Sequence, residues 1–390
     1  MQTEATAKKY CIKSMGKGVI AFIRATGIYY DSRTIKEIKA LVEGGYKVEV
    51  IGWDRTGQAL EKCREVFLDE KDQVNFTFFD LRITDIGLRL DKLLKWGGFI
   101  KKTLKYLHKN KRLFAIHSCD LDTGLSSQKF AEKNQILFVY DIFDYYSDSH
   151  RMPNMVRKIV SYIENRVVNK ADLTIICTEG RKEQINKAKP EKLLVIHNSP
   201  DLDYDGINVE KEFDYIYFGF LDDGRLIKEK LEIYPEHQNL KIGFGGYGKY
   251  VAKCQELEKE YSNFSYLGIV SYSGVLNYEK RAKCMSAIYD PAFRNHRLCA
   301  PNKFYESLAI GIPIIVCKGT GIDQIVLENG LGKVIGYNAD EFYNAVEDLI
   351  KNPDQCRKIG KKSRALYDRS YRWRFMKEKL LKAYENLRVV

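Results

Sequence analysis

The sequence predicts an α/β protein built from two doubly wound parallel-sheet domains with a cleft between them. Short, nearly all-apolar segments alternate with helical patterns, which is typical of parallel strands that helices cover on both faces. The polar, acidic segment 199–212 interrupts this alternation, which then restarts. The length of 390 residues suits two domains at roughly 100–200 residues each.

The composition excludes several classes of protein. With 45% hydrophobic residues and only 8 Pro, the chain is neither disordered nor of low complexity. No apolar run approaches the roughly 18 residues of a membrane-spanning helix, so we expect no transmembrane segment. Residues 1–17 lack an apolar centre and are predicted to be a flexible leader instead of a secretory signal. The 9 Cys form no CxxC pair, which predicts reduced thiols in a cytoplasmic protein and no zinc site.

The first domain is predicted to span 18–200. It contains a predicted helix at 31–45, in which Ile35, Ile38 and Leu41 recur at helical spacing. The predicted strands are 18–25, 47–53, 75–81, 113–118, 136–143, 173–177 and 193–198.

The second domain is predicted to span 201–372, and a last helix, 373–390, is expected to pack back toward the first domain. Because ligands of doubly wound sheets bind outside the carboxyl ends of the strands, we expect functional residues at those ends. The predicted strands are 213–220, 239–246, 264–270, 284–290, 312–317 and 332–337.

The most informative stretch is 300–317, APNKFYESLAIGIPIIVC. Pro301 suits a helix start, and a helix amino terminus can hold a phosphate through its free amides and positive partial charge. Lys303 in the first turn can pair with that phosphate, and Glu306 lies on the same face at i,i+3 spacing. A carboxylate at this position can accept hydrogen bonds from a ribose diol. The alternative is a surface helix with a Lys–Glu pair.

This stretch resembles the donor-site signature of retaining GT-B glycosyltransferases, in particular glycosyltransferase family 4, where the pattern is roughly P-N-K-x-x-E-x-x-A-x-G-x-P. Other segments resemble the same family in the same order. They are DSRTIKEIKALVEGGYKVEVIG, IHSCDLDTGL, ILFVYDIFD, ENRVVNKADLTIICTE and VIHNSPD. The resemblance implies a GT-B fold of two Rossmann-like domains. The C-terminal domain would bind a nucleotide sugar, the N-terminal domain would bind an acceptor, and no metal or other cofactor would be needed.

The resemblance also implies site residues in the second domain. Glu306 corresponds to the glutamate that binds the donor ribose, and Asn302 and Lys303 to the helix start beside the pyrophosphate and sugar. The glycine turn with Thr320 and Gly321 corresponds to a segment that approaches the donor phosphates through backbone amides.

Further donor-binding residues are expected at two earlier turns. The family often has an arginine where this chain has Phe220, so Arg225, or alternatively Lys230, is expected to stabilise the departing diphosphate. Gly245 and Gly246 resemble the family's glycine turn. The glutamate that often lies eight residues before the ribose-binding one is also missing. The nearby basic residues Arg294, His296 and Arg297 are candidates to replace it. Without this glutamate, the sequence does not identify the donor sugar.

In the first domain, the resemblance implies roles for three residues. Gly27 follows the first strand, where a glycine lets the backbone approach a ligand. His117 and Asp120 correspond to the histidine and aspartate of the family's H-x-H-D segment, and Cys119 replaces its second histidine. We therefore place His117 and Asp120 with Arg225 and Glu306 as the expected catalytic residues.

The formal net charge is +12, and part of it is concentrated in 88–112. This segment holds nine Lys or Arg against one Asp, a net charge of +8, with Leu, Trp and Phe interleaved. Such a basic amphipathic stretch suits an anionic membrane surface, and the alternative is a sheet-covering helix with a solvated basic face.

The function implied by the resemblance is transfer of a hexose from a nucleotide-diphosphate sugar, with a UDP-sugar favoured. Transfer would retain configuration, and the acceptor would be a glycan or a polyprenyl-linked glycan in cell-surface polysaccharide or glycolipid biosynthesis. We expect a cytoplasmic enzyme, peripheral on the inner face of the cell membrane, and no nucleic-acid partner. The alternatives are a nucleotide-sugar 2-epimerase of GT-B shape and a binding or scaffold protein on a degenerate GT-B fold.

Overall fold

A computed structural model describes residues 17–82, 89–110, 112–202 and 209–388. The predicted leader, apart from its last residue, and the middle of the predicted linker 199–212 lie outside these ranges. The chain divides into two compact units, Met1–Ile196 with Lys377–Val390 and His197–Met376. These boundaries differ from the predicted ones by four residues, because His197 packs on Tyr305 and Tyr371 of the second unit.

The first unit contains a seven-stranded sheet in the order β3-β2-β1-β4-β5-β6-β7, with every neighbouring pair parallel. Ile23, Ile51 and Ile116 of three adjacent strands belong to one buried cluster, so the sheet is the centre of this unit's core. The strands are β1 (Val19–Arg24), β2 (Lys47–Asp54), β3 (Val74–Asp80), β4 (Ala115–Cys119), β5 (Leu137–Ile142), β6 (Leu173–Ile176) and β7 (Leu193–Val195).

Helices connect these strands, and the first of them begins and ends where its sequence predicts. The Asp31 side chain accepts a hydrogen bond from the amide of Thr34, and Gly44 is the C-cap. The helices are α1 (Ser32–Glu43), α2 (Ala59–Val66), α3 (Arg89–Lys109), α4 (Asp120–Asn134), the single turn α5 (Tyr146–Ser149) and α6 (Asn154–Asn169).

The second unit contains a six-stranded sheet in the order β10-β9-β8-β11-β12-β13, again parallel throughout. Tyr215, Ile242 and Ile315 lie in its buried core. The strands are β8 (Phe213–Phe220), β9 (Ile242–Tyr247), β10 (Phe264–Tyr266), β11 (Ala282–Ala287), β12 (Ile314–Cys317) and β13 (Gly332–Ile335).

The helices of the second unit complete the alternation. They are α7 (Ile227–Ile233), α8 (Val251–Glu260), α9 (Tyr272–Lys280), α10 (Asn302–Ile310), α11 (Ile322–Asn329), α12 (Ala339–Lys351) and α13 (Pro353–Leu366). The last helix, α14 (Trp373–Leu387), begins in the second unit, and its residues from Lys377 belong to the first. There Tyr384 is fully buried and contacts Tyr46 and His117.

The predicted fold class is confirmed, and each of the thirteen predicted strand segments overlaps one strand of the structure. Since all strands in a sheet are parallel, their carboxyl ends lie along one edge of that sheet. Residues that follow different strands are therefore brought together there.

Gly332 of β13 allows a direct test of how closely the strands of the second sheet pack. Gly332 pairs with Ile314, and a Cβ on Gly332 would overlap the carbonyl of Ile314. We expect Gly332→Ala to lower the free energy of unfolding by about 1–3 kcal/mol, because backbone cannot move aside as a flexible side chain can. Chemical denaturation measures this loss.

The matched control is Gly97→Ala, in the interior of α3, where no heavy atom lies within 4 Å of the added Cβ. Alanine favours a helix over glycine by roughly 1 kcal/mol, so this variant should be unchanged or more stable. Equal stability of the two variants would contradict the strand register.

Candidate functional site

The carboxyl edge of the second sheet is shaped by two glycines with positive φ. Gly219 near the end of β8 has φ +148°, and Gly246 near the end of β9 has φ +120°. A Cβ on Gly246 would overlap the carbonyl of Gly219, so the two strand ends approach each other closely. The Nζ atom of Lys303 lies 3.0 Å from the position that a Cβ on Gly219 would take. The missing side chain of Gly219 therefore leaves room for the Lys303 ammonium at this edge.

Helix α10 carries the predicted donor residues to the same place. The helix has Pro301 as its N-cap, and Asn302 is exposed in its first turn. The ammonium of Lys303 lies 4.9 Å from the ring centre of Tyr217, and Glu306 is buried, with 4% of its surface exposed. Lys303 is thus a basic group at the sheet edge with a carboxylate one turn behind it.

A second carboxyl group, Glu279 of α9, lies beside Glu306 and was missed by the sequence analysis. Its side chain is fully buried, and neither carboxyl oxygen has a hydrogen-bond partner among the described residues. Burial raises the pKa of Glu279 well above its usual range, the negative charge of Glu306 raises it further, and Lys303 opposes both. Glu279 is therefore a buried carboxyl group next to Glu306 whose neutral form is favoured by its surroundings.

Tyr272, the first residue of α9, joins this group. Its hydroxyl is hydrogen-bonded to Glu306, and burial, Glu306 and Glu279 raise its pKa well above the usual value. The sequence contained one signal for Glu279, since it follows the buried Leu276 at i,i+3 spacing on the inner face of the helix. A charged residue at such a position indicates either a paired core group or a site.

Arg225 also lies at this sheet's carboxyl end. Its guanidinium carbon lies 5.6 Å from the ring centre of Phe220 and 5.5 Å from that of Tyr289. Phe220 is 39% exposed, and its ring lies 5.4 Å from that of the exposed Tyr247. Arg225 therefore lies next to a pair of exposed aromatic rings, Phe220 and Tyr247, at the carboxyl end of the sheet.

Lys230 is not at the sheet edge, and its predicted role beside the donor phosphates is wrong. The side chain is fully buried on the inner face of α7, where its Nζ donates to the hydroxyl of Tyr215 at 3.1 Å. Its ammonium lies 4.7 Å from the ring centre of Phe342. Burial lowers the pKa of Lys230 to about 7. It cannot replace the missing arginine, because no part of it is accessible to a ligand.

The glycine turn before α11 is held by its own hydrogen bonds. The amide of Gly319 donates to Oδ2 of Asp323 at 2.7 Å, and the hydroxyl of Thr320 donates to the carbonyl of Cys317 at 2.6 Å. Thr320 is fully buried, and its contact with a donor stays a prediction. Gly321 has φ +79° and is exposed at the start of the helix. Gly245 is buried, and a Cβ there would overlap the ring of Phe218.

In the first unit, His117 lies in the core, which contradicts the expectation that it is a catalytic residue. The ring has no exposed surface, its Nδ1 lies 2.7 Å from the hydroxyl of Tyr384, and it stacks on Phe22 at 4.1 Å. Burial lowers the pKa of His117 to about 4, so the imidazole is neutral at physiological pH. Its position within β4 places the side chain inside the unit, where a ligand does not reach.

Two carboxyl groups and an arginine surround His117. Arg33 is 2.9 Å from Oε1 of Glu37 and 2.6 Å from Oδ1 of Asp141, and all three side chains are buried. Burial raises the pKa of Glu37 to about 8, the charge of Asp141 adds to this, and Arg33 opposes it. The Arg33 guanidinium thus lies between two buried carboxyl groups, and burial raises the pKa of both.

Three potential metal ligands, His117, Cys119 and Asp141, lie with their ligand atoms within 4.8 Å of one another. They do not suit a cation. Asp141 is already paired with Arg33, and burial raises the pKa of the Cys119 thiol well above its usual value. A cation would also lie beside the Arg33 guanidinium. The expectation of a metal-independent protein stays a prediction.

Asp120 connects the ends of two strands. Its Oδ1 accepts from the amide of Phe143 at 2.8 Å and from that of Asp144 at 3.1 Å, and its Oδ2 lies 3.4 Å from Nη1 of Arg24. Burial raises its pKa to about 7, against the opposing effect of Arg24. Asp120 is partly exposed at the carboxyl edge of the first sheet, so its catalytic role stays a prediction.

Gly27 lies just beyond the end of β1 and is buried. Its carbonyl accepts from the amide of Tyr29 at 2.8 Å and from the thiol of Cys63 at 3.3 Å. A Cβ on Gly27 would lie 2.9 Å from the Tyr29 ring, which is a local reason for glycine at this position. Its contact with a ligand stays a prediction.

The basic segment 88–112 forms helix α3 over most of its length. Phe99 and Leu107 are buried against the sheet, whereas Leu90, Leu93 and Leu94 are exposed. The helix therefore covers the sheet and also presents apolar side chains outward. Within the described residues, no helix is both long enough and apolar enough to span a bilayer.

Comparison with solved structures defines the class of fold. The chain superimposes on sucrose-phosphate synthase of Thermosynechococcus elongatus with a TM-score of 0.73 at 13% identity, covering 96% of this chain and 100% of that one. It superimposes on Anabaena Alr3699/HepE, solved in complex with UDP-glucose, with a TM-score of 0.68 at 13% identity, covering 96% and 100%. The protein therefore has the GT-B fold.

At the level of sequence, the similarities are short. A stretch of 107 residues is 28% identical to spore coat protein SA of Bacillus subtilis. This stretch covers 27% of this chain and 26% of that protein. The matched region is therefore about a quarter of the length of this relative. No protein-family model matches the chain.

The raised pKa of Glu37, which is buried beside Arg33 and Asp141, predicts how the free energy of unfolding depends on pH. The native state keeps a proton on Glu37 from its ordinary pKa of 4.5 up to about 8, whereas the unfolded chain has released it. The free energy of unfolding therefore falls as pH rises through this window. Glu37→Gln cannot ionise, so its stability at pH 9 relative to wild type should exceed that at pH 5 by on the order of 2–3 kcal/mol.

Denaturation at pH 5, 7 and 9 measures this difference. His117 contributes in the opposite direction, since its lowered pKa makes the native state less stable as pH falls from 6.5 to about 4. Wild type and Glu37→Gln both contain His117, so its contribution at pH 5 is present in both proteins. The control is Glu65→Gln, an exposed carboxyl on α2. Parallel pH profiles for wild type and Glu37→Gln would contradict a protonated Glu37.

Proposed function

We propose that this protein is a glycosyltransferase that takes its sugar from a nucleotide-diphosphate donor bound at the carboxyl edge of the second sheet. The observation that carries the proposal is the grouping of Lys303, Glu306 and Arg225 at that edge, around a gap left by Gly219. This grouping provides positive charge for a diphosphate and a carboxylate for a ribose diol within one site. The GT-B fold supports the same reading, because Anabaena Alr3699/HepE binds UDP and UDP-glucose on this fold.

The donor we favour is a UDP-hexose. Glu306 would accept hydrogen bonds from the ribose hydroxyls, and Lys303 would lie over the phosphates. The amides of the Gly321 turn approach the phosphates from α11, while the exposed rings of Phe220 and Tyr247 border the same edge. Charged groups fixed before the donor binds are the main way that a site of this kind lowers a barrier.

We propose transfer with retention of configuration, as in the family that the sequence resembles. The bond from the anomeric carbon to the diphosphate oxygen breaks, and the acceptor oxygen forms the new bond on the same face. The proton of the acceptor hydroxyl passes to the departing diphosphate. Arg225 and Lys303 stabilise the charge that develops on the leaving group, so the mechanism needs no nucleophilic side chain and no metal ion.

We propose a glycan or a lipid-linked glycan as acceptor, in cell-surface polysaccharide or glycolipid biosynthesis. The support is the basic helix α3, whose exposed leucines and lysines suit a membrane surface. The protein would then act in the cytoplasm, peripherally on the inner face of the membrane. Epimerisation of the nucleotide sugar and binding without turnover are the alternatives that the experiments below separate.

The first test is nucleotide binding. We expect UDP to bind wild type more tightly than GDP does, and Glu306→Ala to weaken UDP binding at least tenfold, because hydrogen bonds to a charged group are worth about 1.5–3 kcal/mol. Isothermal titration calorimetry gives both constants. Glu328→Ala, which removes an exposed carboxylate of α11, is the matched control and should bind as wild type. Equal UDP affinity of Glu306→Ala and wild type would overturn the site.

The second test concerns the leaving group. We expect Arg225→Ala to lower kcat for UDP-sugar cleavage by roughly 10²-fold with a smaller change in KM, because the charge on the diphosphate grows only in the transition state. The control is Lys228→Ala, which removes an exposed positive charge three residues away. Release of UDP and free or transferred sugar, followed by chromatography, measures the rate. A 2-epimerised product would favour the epimerase, and binding without any turnover would favour the binding protein.

A further inference from the structure

The first unit contains an apolar cavity of about 490 Å³ that the proposed transfer reaction does not use. Three helices form most of its walls, and Tyr146 of α5 completes the lining. Trp96 and Leu104 come from α3, Leu121 and Leu125 from α4, and Val160 and Ile163 from α6. Its volume lies within the roughly 300–1,000 Å³ typical of sites for small organic ligands.

The walls are mainly apolar, and the polar residues of the lining are His108, Asp122, Ser126, Lys129, Lys133 and Tyr146. The indole Nε1 of Trp96 already donates to the carbonyl of Asp122 at 3.0 Å. A polar molecule in this cavity would lose its hydrogen bonds to water without replacement. The occupant must therefore have an apolar body.

One end of the cavity is basic. Along α4, Leu121 and Leu125 are followed at the same helical spacing by Lys129 and Lys133, which line the cavity and are exposed. His108 lies at this end too, 4.9 Å from the ring of Phe130, and Asp122 lines the cavity from the first turn of α4. The apolar wall thus leads to two exposed ammonium groups that suit an anionic head.

The apolar lining continues onto the protein surface along both flanking helices. On α3, exposed Leu93 precedes Trp96 by three residues and Ile100 by seven, so all three share one face of the helix. On α6, exposed Val156 precedes Val160 by four residues. Leu94 in the second turn of α3 is 68% exposed, and Met155 in the first turn of α6 is 77% exposed. Such an apolar rim is typical of a surface that meets a membrane or another protein.

Charge decides between these two occupants. The segment 88–112 has a net charge of +8, and Lys101, Lys102 and Lys105 of α3 are exposed. Basic residues interleaved with leucine and tryptophan bind at the interface of anionic bilayers. We propose that the cavity takes one hydrocarbon chain of an anionic membrane lipid, with Lys129 and Lys133 at the headgroup. The inference deepens the membrane contact of the proposed function.

The experiment measures chain insertion separately from surface attraction. Wild type is mixed with vesicles that contain 30% phosphatidylglycerol in phosphatidylcholine, with either ordinary or brominated acyl chains. Bromine quenches a tryptophan only on close contact, and Trp96 lines the cavity whereas Trp53 and Trp373 are buried. We expect the brominated vesicles to remove at least half of the emission that Trp96 contributes, a share defined by Trp96→Phe.

Two variants test the two halves of the site. Val160→Phe, which fills the cavity, should still float with the vesicles but lose the quenching. Lys129→Glu with Lys133→Glu should lower vesicle binding at least tenfold. The controls are Leu327→Phe, at an exposed apolar position, and Lys182→Glu with Lys187→Glu, which make the same change of charge elsewhere on the first unit. Both controls should behave as wild type.

Three outcomes would overturn the inference. The first is that wild type binds vesicles without quenching, which means surface attraction alone. The second is that wild type does not bind vesicles, and the third is that Val160→Phe is quenched as much as wild type. Circular dichroism and UDP binding are measured on the same samples. If only the cavity proposal is wrong, wild type and all these variants still bind UDP. If the transferase proposal is wrong, neither wild type nor any variant binds UDP.

Discussion

The candidate donor site depends on the close approach of two strand ends. Strands β8 and β9 meet at Gly219 and Gly246, where any Cβ on Gly246 would overlap the opposite carbonyl. This approach requires positive φ at both positions, which only glycine adopts at little cost. The space that results is the space into which Lys303 extends from α10. The geometry of the strands and the position of the positive charge therefore have a single cause.

Both units bury carboxyl groups, and they compensate for burial in different ways. In the first unit, Arg33 contacts both Glu37 and Asp141, so its positive charge offsets the burial of these carboxyl groups. In the second unit, Glu279 has no hydrogen-bond partner among the described residues and lies near Glu306 and Lys303. An unpaired buried carboxyl group costs stability, and such a cost is more typical of a ligand site than of a core. This difference favours the second unit as the one that holds the reacting donor.

The sequence predicts local features well and buried polar groups poorly. The strands were found because apolar β-branched runs are local signals, and α10 because Pro301 and Gly311 mark its ends. Lys230 and His117 were placed wrongly, because a sequence pattern does not show which face of an element is enclosed by the rest of the chain. His117 is enclosed partly by Tyr384, which lies 267 residues further on. The partner of Glu306, Glu279, was missed for the same reason, since the two come together only when α9 packs beside α10.

The position where the family has an arginine is Phe220 in this chain, and the proposed function assigns its role to Arg225 of the same loop. Arg225 follows five residues later, next to Leu226, whose φ of +58° turns the chain back. The guanidinium then lies within 5.6 Å of the ring of Phe220, so the residue that replaced the arginine now helps to position another one. Lys230 cannot serve this purpose, because its pKa of about 7 leaves it only partly charged at neutral pH and its side chain is enclosed. In the proposed function, the positive charge for a departing diphosphate would come from Arg225 and Lys303, which reach the sheet edge from separate elements.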